Sequence, residues 1–142
     1  MTAFELHGTL AADSISLGNF PLCRLLLMND VQYPWFILVP RRPGAREIYQ
    51  LAELDQQHLL RESATLSRAI MQAYRGEKLN VAALGNVVPQ LHVHHIVRYA
   101  NDPAWPAPVW GRHPAQPYDE AARRARIDAL RPLLPRDFGW DC

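Results

Sequence analysis

With 142 residues, the chain is long enough for one domain with a real core and too short for two, so one active site per chain is expected. Hydrophobic residues make up 49%, charged residues 20%, and the formal net charge is +1; this is the balance of an ordinary soluble globular protein and points to neither a nucleic-acid nor a membrane partner. The start Met1-Thr2-Ala3-Phe4-Glu5-Leu6-His7 lacks the layout of a signal peptide and no apolar stretch approaches a membrane span. Cys23 and Cys142 form neither a disulfide framework nor a Cys-x-x-Cys motif, so a reducing, cytoplasmic setting is expected.

Residues 14–20 and 22–28 are rich in β-branched and long apolar residues, and Gly18, Asn19 and Pro21 punctuate them, which predicts a β-hairpin. Trp35-Phe36-Ile37-Leu38-Val39 is a continuous apolar run between Pro34 and Pro40, the pattern of a strand buried on both faces, and Arg41-Arg42-Pro43-Gly44 reads as a polar turn. From Asp55 to Tyr74, the residues Leu59, Leu60, Leu66, Ile70, Met71 and Tyr74 recur at helical spacing, with Asp55 placed to cap the start and Gly76 to end it. Residues 78–84 and 91–97 read as two more strands. A loop over 101–117, rich in proline and tryptophan, leads to a second helix over 119–130, with Ile127 and Leu130 inside and Arg123, Arg124, Arg126 and Arg131 outside. The fold class is α+β, with an antiparallel meander of about five strands and two main helices.

The chemistry concentrates on Gln90-Leu91-His92-Val93-His94-His95-Ile96-Val97-Arg98. Alternation along an extended strand puts Gln90, His92, His94, Ile96 and Arg98 on one face at steps of about 7 Å. Leu91, Val93, His95 and Val97 share the other face, so His95 is expected to be a hydrogen-bonded structural residue. Imidazole titrates near neutrality, so one neutral ring can attack phosphorus while a protonated neighbour stabilises the charge that builds up. Two other readings of the same residues stand beside this one: a zinc site, since His-x-His on a strand can chelate a metal but here lacks an evident third ligand, and a purely structural role.

The segment Gly85-Asn86-Val87-Val88-Pro89-Gln90-Leu91-His92-Val93-His94-His95-Ile96-Val97-Arg98 resembles the signature of the histidine-triad (HIT) superfamily. Upstream, Leu26-Leu27-Met28-Asn29 and Trp35-Phe36-Ile37-Leu38-Val39-Pro40 resemble that family's two strands around a ribose-binding Asp or Asn. The likeness covers most of residues 10–100 of a single domain over 1–142, with a family-variable loop and helix over 101–142.

The resemblance implies a hydrolase acting on the α-phosphate of a nucleoside polyphosphate such as diadenosine tetraphosphate, or of a nucleoside phosphoramidate, through a nucleotidyl-histidine intermediate. It makes His92 the nucleophile and His94 the residue at the phosphate oxygens or leaving group. Gln90 stands at the first triad position, where its amide would orient His92 or bond the leaving group. Asn29 would hold ribose hydroxyls, Asn86 and the backbone of Gly85 and Val87 would meet the phosphate, and Arg98 would add a contact to a longer polyphosphate or lie in solvent. Trp105 and Trp110 could stack on a base or cover the site, or anchor the loop. Gln90 for histidine and Val87 for Ser or Thr are departures from the signature, and they motivate an alternative: a nucleotide-sensing module with little catalysis, or a nucleotidyl transferase. The implied partner is a purine nucleotide, with no metal or cofactor, and the implied assembly is a homodimer.

Overall fold

The computed structural model describes residues 3–141; Met1, Thr2 and Cys142, which entered the reading of the termini and cysteines, lie outside them. The sheet is antiparallel and has six strands in the order β4-β5-β3-β2-β1-β6. Strands β1 (Ser14–Asn19) and β2 (Cys23–Met28) form the hairpin, and β3 (Trp35–Pro40) lies beside β2. The order departs from a plain meander after β3. Helix α2 (Glu53–Ala73) carries the chain across the sheet, β4 (Lys78–Ala82) takes the edge, and β5 (Val93–Arg98) returns between β4 and β3.

The sixth strand, β6 (Gly139–Trp140), pairs with β1 and is too short to leave a sequence pattern. It comes so close that a Cβ on Gly18, which has φ 151°, would lie 2.1 Å from the Gly139 carbonyl oxygen. Only glycine fits there. A short helix, α1 (Gly8–Asp13), also went unforeseen; its start is capped by the His7 ring, whose Nδ1 accepts the Thr9 N–H at 3.1 Å.

All six residues of β3 and all six of β5 are buried, because the sheet is covered on both faces. One face packs Leu25, Leu27, Phe36, Leu38, Val93 and Val97 against α2 and the C-terminal segment. The other packs Leu26, Ile37, Val39 and Ile96 under Leu10, Tyr33, Val88 and Val109. Neighbouring residues on each strand thus serve opposite cores, as the period of two requires.

Helix α2 differs from its expected form in two ways. It begins at Glu53 behind Ala52, and Asp55 pairs with Arg42 at 2.7 Å instead of capping. Leu60, one of the apolar residues at helical spacing, is 73% exposed. The helix also buries Glu62, whose two oxygens accept the N–H groups of Leu22 (2.9 Å) and Cys23 (2.8 Å) and tie it to the start of β2. Helix α3 (Glu120–Leu130) is capped by Asp119. Its Arg126 is not a solvent residue; the guanidinium lies over the Tyr74 and Tyr118 rings and bonds the Tyr118 hydroxyl at 2.9 Å.

Candidate functional site

The chain between β4 and β5, the first residues of β5, helix α1 and Trp110 enclose a pocket of about 380 Å³ into which His92 and His94 both face. Gly85, with φ 72°, permits the turn that brings the loop over the strand. His92 is 7% exposed and its ring Nδ1 lies 2.7 Å from the Gln90 carbonyl oxygen. A carbonyl only accepts, so Nδ1 carries the proton and donates. The Nε2 lone pair of a neutral His92 is therefore free for attack.

His94 is 4% exposed and sits with its ring centroid 4.9 Å from that of His92. Ile37 opposes His94 and Trp35 opposes Ile96 across β3 and β5, which makes Trp35 and His94 diagonal neighbours on one face, within reach of long side chains. The Trp35 indole Nε1–H donates to His94 Nδ1 at 2.9 Å. Burial, and then the neighbouring His92 and His95, push the His94 pKa down to about 3. The ring is thus neutral at physiological pH, which corrects the expectation of a protonated partner for His92. Trp110 packs edge-on against both His94 (5.1 Å) and Trp35 (5.8 Å).

His95 faces the α2 side. Its Nδ1–H donates to the Val93 carbonyl (3.1 Å) and its Nε2 pairs with the Ser63 hydroxyl (2.7 Å), and burial lowers its pKa to about 4.

Two expected roles change. The Gln90 amide does not reach His92: its Oε1 accepts the His7 N–H and its Nε2 donates to the Glu5 carbonyl, both at 2.8 Å. The orienting group is the Gln90 backbone carbonyl, and the side chain holds the N-terminal arm. Arg98 is neither a pocket residue nor in solvent. It is 1% exposed, pairs with Asp102 through Nε and Nη2, and also bonds Asn80 Oδ1 and the Ala107 carbonyl. It holds the tryptophan loop in place, with its guanidinium over Trp105.

Gly85, Asn86 and Val87 form the loop wall of the histidine pocket, Val87 being 88% exposed. Asn29 lies in an adjoining pocket of about 400 Å³ with Asp30 and His113, and its Oδ1 accepts the Tyr118 N–H at 2.9 Å. Asp13, Met28 and Trp110 line both pockets. Sequence reasoning missed Leu10, Asp13, Met28 and the Trp35 indole. Trp35 carried only the signal of a buried strand residue, and the α1 residues carried none.

Among the described residues, no helix is long and apolar enough to cross a membrane. The HIT domain model matches residues 9–101, and no curated protein matches the chain. Among solved structures, a histidine triad protein from Marinobacter aquaeolei VT8 is 56% identical with a TM-score of 0.91, covering 94% of this chain and 97% of its own. One from Bradyrhizobium japonicum is 46% identical with a TM-score of 0.92 (94% and 100% covered), and one from Sinorhizobium meliloti 1021 is 42% identical with a TM-score of 0.90 (92% and 97% covered). The histidine strand, the sheet around it and these matches lead to one assignment: the chain belongs to the histidine triad (HIT) family.

Proposed function

We propose that the chain is a hydrolase acting on the α-phosphate of a purine nucleoside polyphosphate, of the diadenosine tetraphosphate kind, or of a nucleoside phosphoramidate. The observation that carries this reading is the 2.7 Å contact between His92 Nδ1 and the Gln90 carbonyl. It leaves the Nε2 lone pair available inside a pocket whose other imidazole is a donor. His92 Nε2 attacks the α-phosphorus; the bond to the leaving group breaks and its electron pair departs with that group, which stays a phosphate anion on a polyphosphate and takes a proton from water on a phosphoramidate. Water then attacks the nucleotidyl-histidine, the P–N pair returns to Nε2, and a nucleoside monophosphate and a proton are released.

His94 donates to a phosphate oxygen through Nε2–H. Asn86 and the backbone amides of Gly85 and Val87 supply further donors from the loop. Asn29 takes a ribose hydroxyl in the adjoining pocket, so the substrate spans the two spaces past Met28. The test is His92→Ala assayed on diadenosine tetraphosphate, with AMP binding measured alongside. Turnover is lost while binding largely survives; full activity in that variant ends the proposal.

A nucleotide-sensing role with little catalysis is favoured by one observation: among the described residues, no Lys or Arg lines either pocket. Ligand-dependent melting without product formation separates that reading from the first. A homodimer is proposed through the open edge of the sheet. There Ile48, Leu60 and Val81 are exposed around an apolar groove beside edge strand β4, which offers a second copy both apolar surface and unpaired backbone groups.

A further inference from the structure

We propose that Trp35 is a positioning residue that locks His94 as a neutral ring with its proton on Nε2, and that the site therefore takes nucleoside phosphates whose leaving group departs as a phosphate anion rather than as an amine. The inference rests on the reading of His92 as nucleophile and narrows the substrate class of that same pocket.

The lock follows from donor chemistry. Indole Nε1–H can only donate, so its 2.9 Å contact to His94 Nδ1 requires a lone pair on that nitrogen. The neutral ring must then hold its proton on Nε2. Trp35 has little freedom to release the contact: it is buried, and its ring packs edge-on against Tyr33 (6.3 Å) and Trp110 (5.8 Å). A proton on Nδ1 would face the indole proton and leave a buried donor without an acceptor. Burial, and then the proximity of His92 and His95, acts in the same direction by disfavouring a charged ring.

A neutral imidazole can donate a hydrogen bond through Nε2–H, but giving that proton away would create an imidazolate, which is out of reach near neutral pH. His94 can thus stabilise charge on a phosphate oxygen and cannot act as a general acid. His92 cannot act as one either, because its Nδ1–H is committed to Gln90 and its Nε2 bonds phosphorus in the step. Among the described residues, the only other titratable group lining the pocket is Asp13, an exposed carboxylate at the rim.

The leaving group then decides the outcome. When the Pα–O bond of a polyphosphate breaks, the electron pair stays on a phosphate oxygen as a stable anion and no proton is needed. When a Pα–N bond breaks, the nitrogen must gain a proton as the pair arrives, and among the described residues the pocket has no side chain to supply it. General acid assistance contributes about 100-fold or more, so turnover of an amidate should lag by about that factor.

The test has two arms on the full chain. The first reads the His94 ring nitrogens by ¹⁵N NMR near neutral pH in the wild type, Trp35→Phe and Trp35→His. A single neutral Nε2–H form is expected in the wild type, a mixture of forms in Trp35→Phe, and partial recovery in Trp35→His, whose ring can still present an N–H. An Nδ1–H or cationic His94 in the wild type would overturn the lock.

The second arm compares kcat/KM for diadenosine tetraphosphate and adenosine 5′-phosphoramidate. A preference of about 100-fold for the polyphosphate is expected. Equal turnover of the two overturns the leaving-group inference while His92 keeps its role. Turnover of neither overturns the leaving-group inference together with the proposed function, and the NMR arm still decides the lock on its own.

Discussion

Arg98 and Asp102 form a two-bond ion pair, 2.8 and 3.1 Å long, in which the side chains are 1% and 3% exposed. The pair lies beneath the loop that carries Trp110 across His94. Asp102 also accepts the N–H groups of Tyr99, Ala104 and Trp105, so the carboxylate organises the start of that loop.

Removing one partner of such a pair strands the other in the interior. Arg98→Ala should cost about 3–5 kcal/mol of stability, read by chemical denaturation. Arg98→Lys should recover little of it, because one ammonium cannot replace the fork that reaches Asp102, Asn80 and Ala107 together. Burial acts to raise the Asp102 carboxyl, but the hydrogen bonds from Arg98 and the charge of its guanidinium outweigh it and hold the pKa below the ordinary value. A depressed carboxylate stabilises the fold above its unfolded pKa, so this contribution is lost as pH falls through the acid range.

His94 and His95 impose an earlier acid sensitivity. Both are neutral in the fold, with pKa values of about 3 and about 4, against an unfolded value near 6.5. Below about pH 6.5 the unfolded chain binds protons that the folded chain refuses. Stability should fall by about 1.4 kcal/mol per pH unit for each ring between about pH 6 and pH 4. Denaturation midpoints measured at pH 7 and pH 5 check this; equal stability at the two would contradict the burial of the neutral rings.

Gln90→Ala separates the side chain from its backbone carbonyl. The variant keeps the carbonyl that fixes His92 and loses both bonds to the N-terminal arm, at about 1–2 kcal/mol. Hydrogen exchange at the His7 amide should accelerate. Because the arm leads into α1, which supplies Thr9, Leu10 and Asp13 to the pocket, KM for diadenosine tetraphosphate should rise more than kcat falls. A fall in kcat with KM unchanged would return the side chain to a role at the reacting centre.

The proposed dimer can be tested at the sheet edge. Leu60→Glu with Val81→Glu places like charges on both copies of one apolar surface and should shift sedimentation from dimer to monomer with the circular dichroism spectrum unchanged. A wild-type protein that sediments as a monomer at all concentrations removes the dimer proposal.

Elements whose signal is local were legible in the sequence. The run from Trp35 to Val39 between two prolines gives β3 within a residue, and strict alternation separates His95 from His94 on β5. Features made by distant partners were not. Asp55 reads as a cap until the fold brings Arg42 to it. Gln90 reads as a site residue until the arm at Glu5 and His7 takes its amide, and Arg98 follows the histidine face by alternation but ends under a loop that folds back on it. The indole contact of Trp35 depends on the β3–β5 register, which no local pattern encodes.

Glu62 has a consequence for a residue it was not folded to serve. With both oxygens held by the N–H groups of Leu22 and Cys23, a carboxylate sits beside the Cys23 side chain, and burial together with that charge pushes the thiol pKa up. The thiolate is the reactive form of cysteine, so Cys23 should resist alkylating agents while the chain is folded and react only on opening. Labelling followed at Cys23 itself, apart from Cys142, would then serve as a built-in clock for unfolding of the sheet interior.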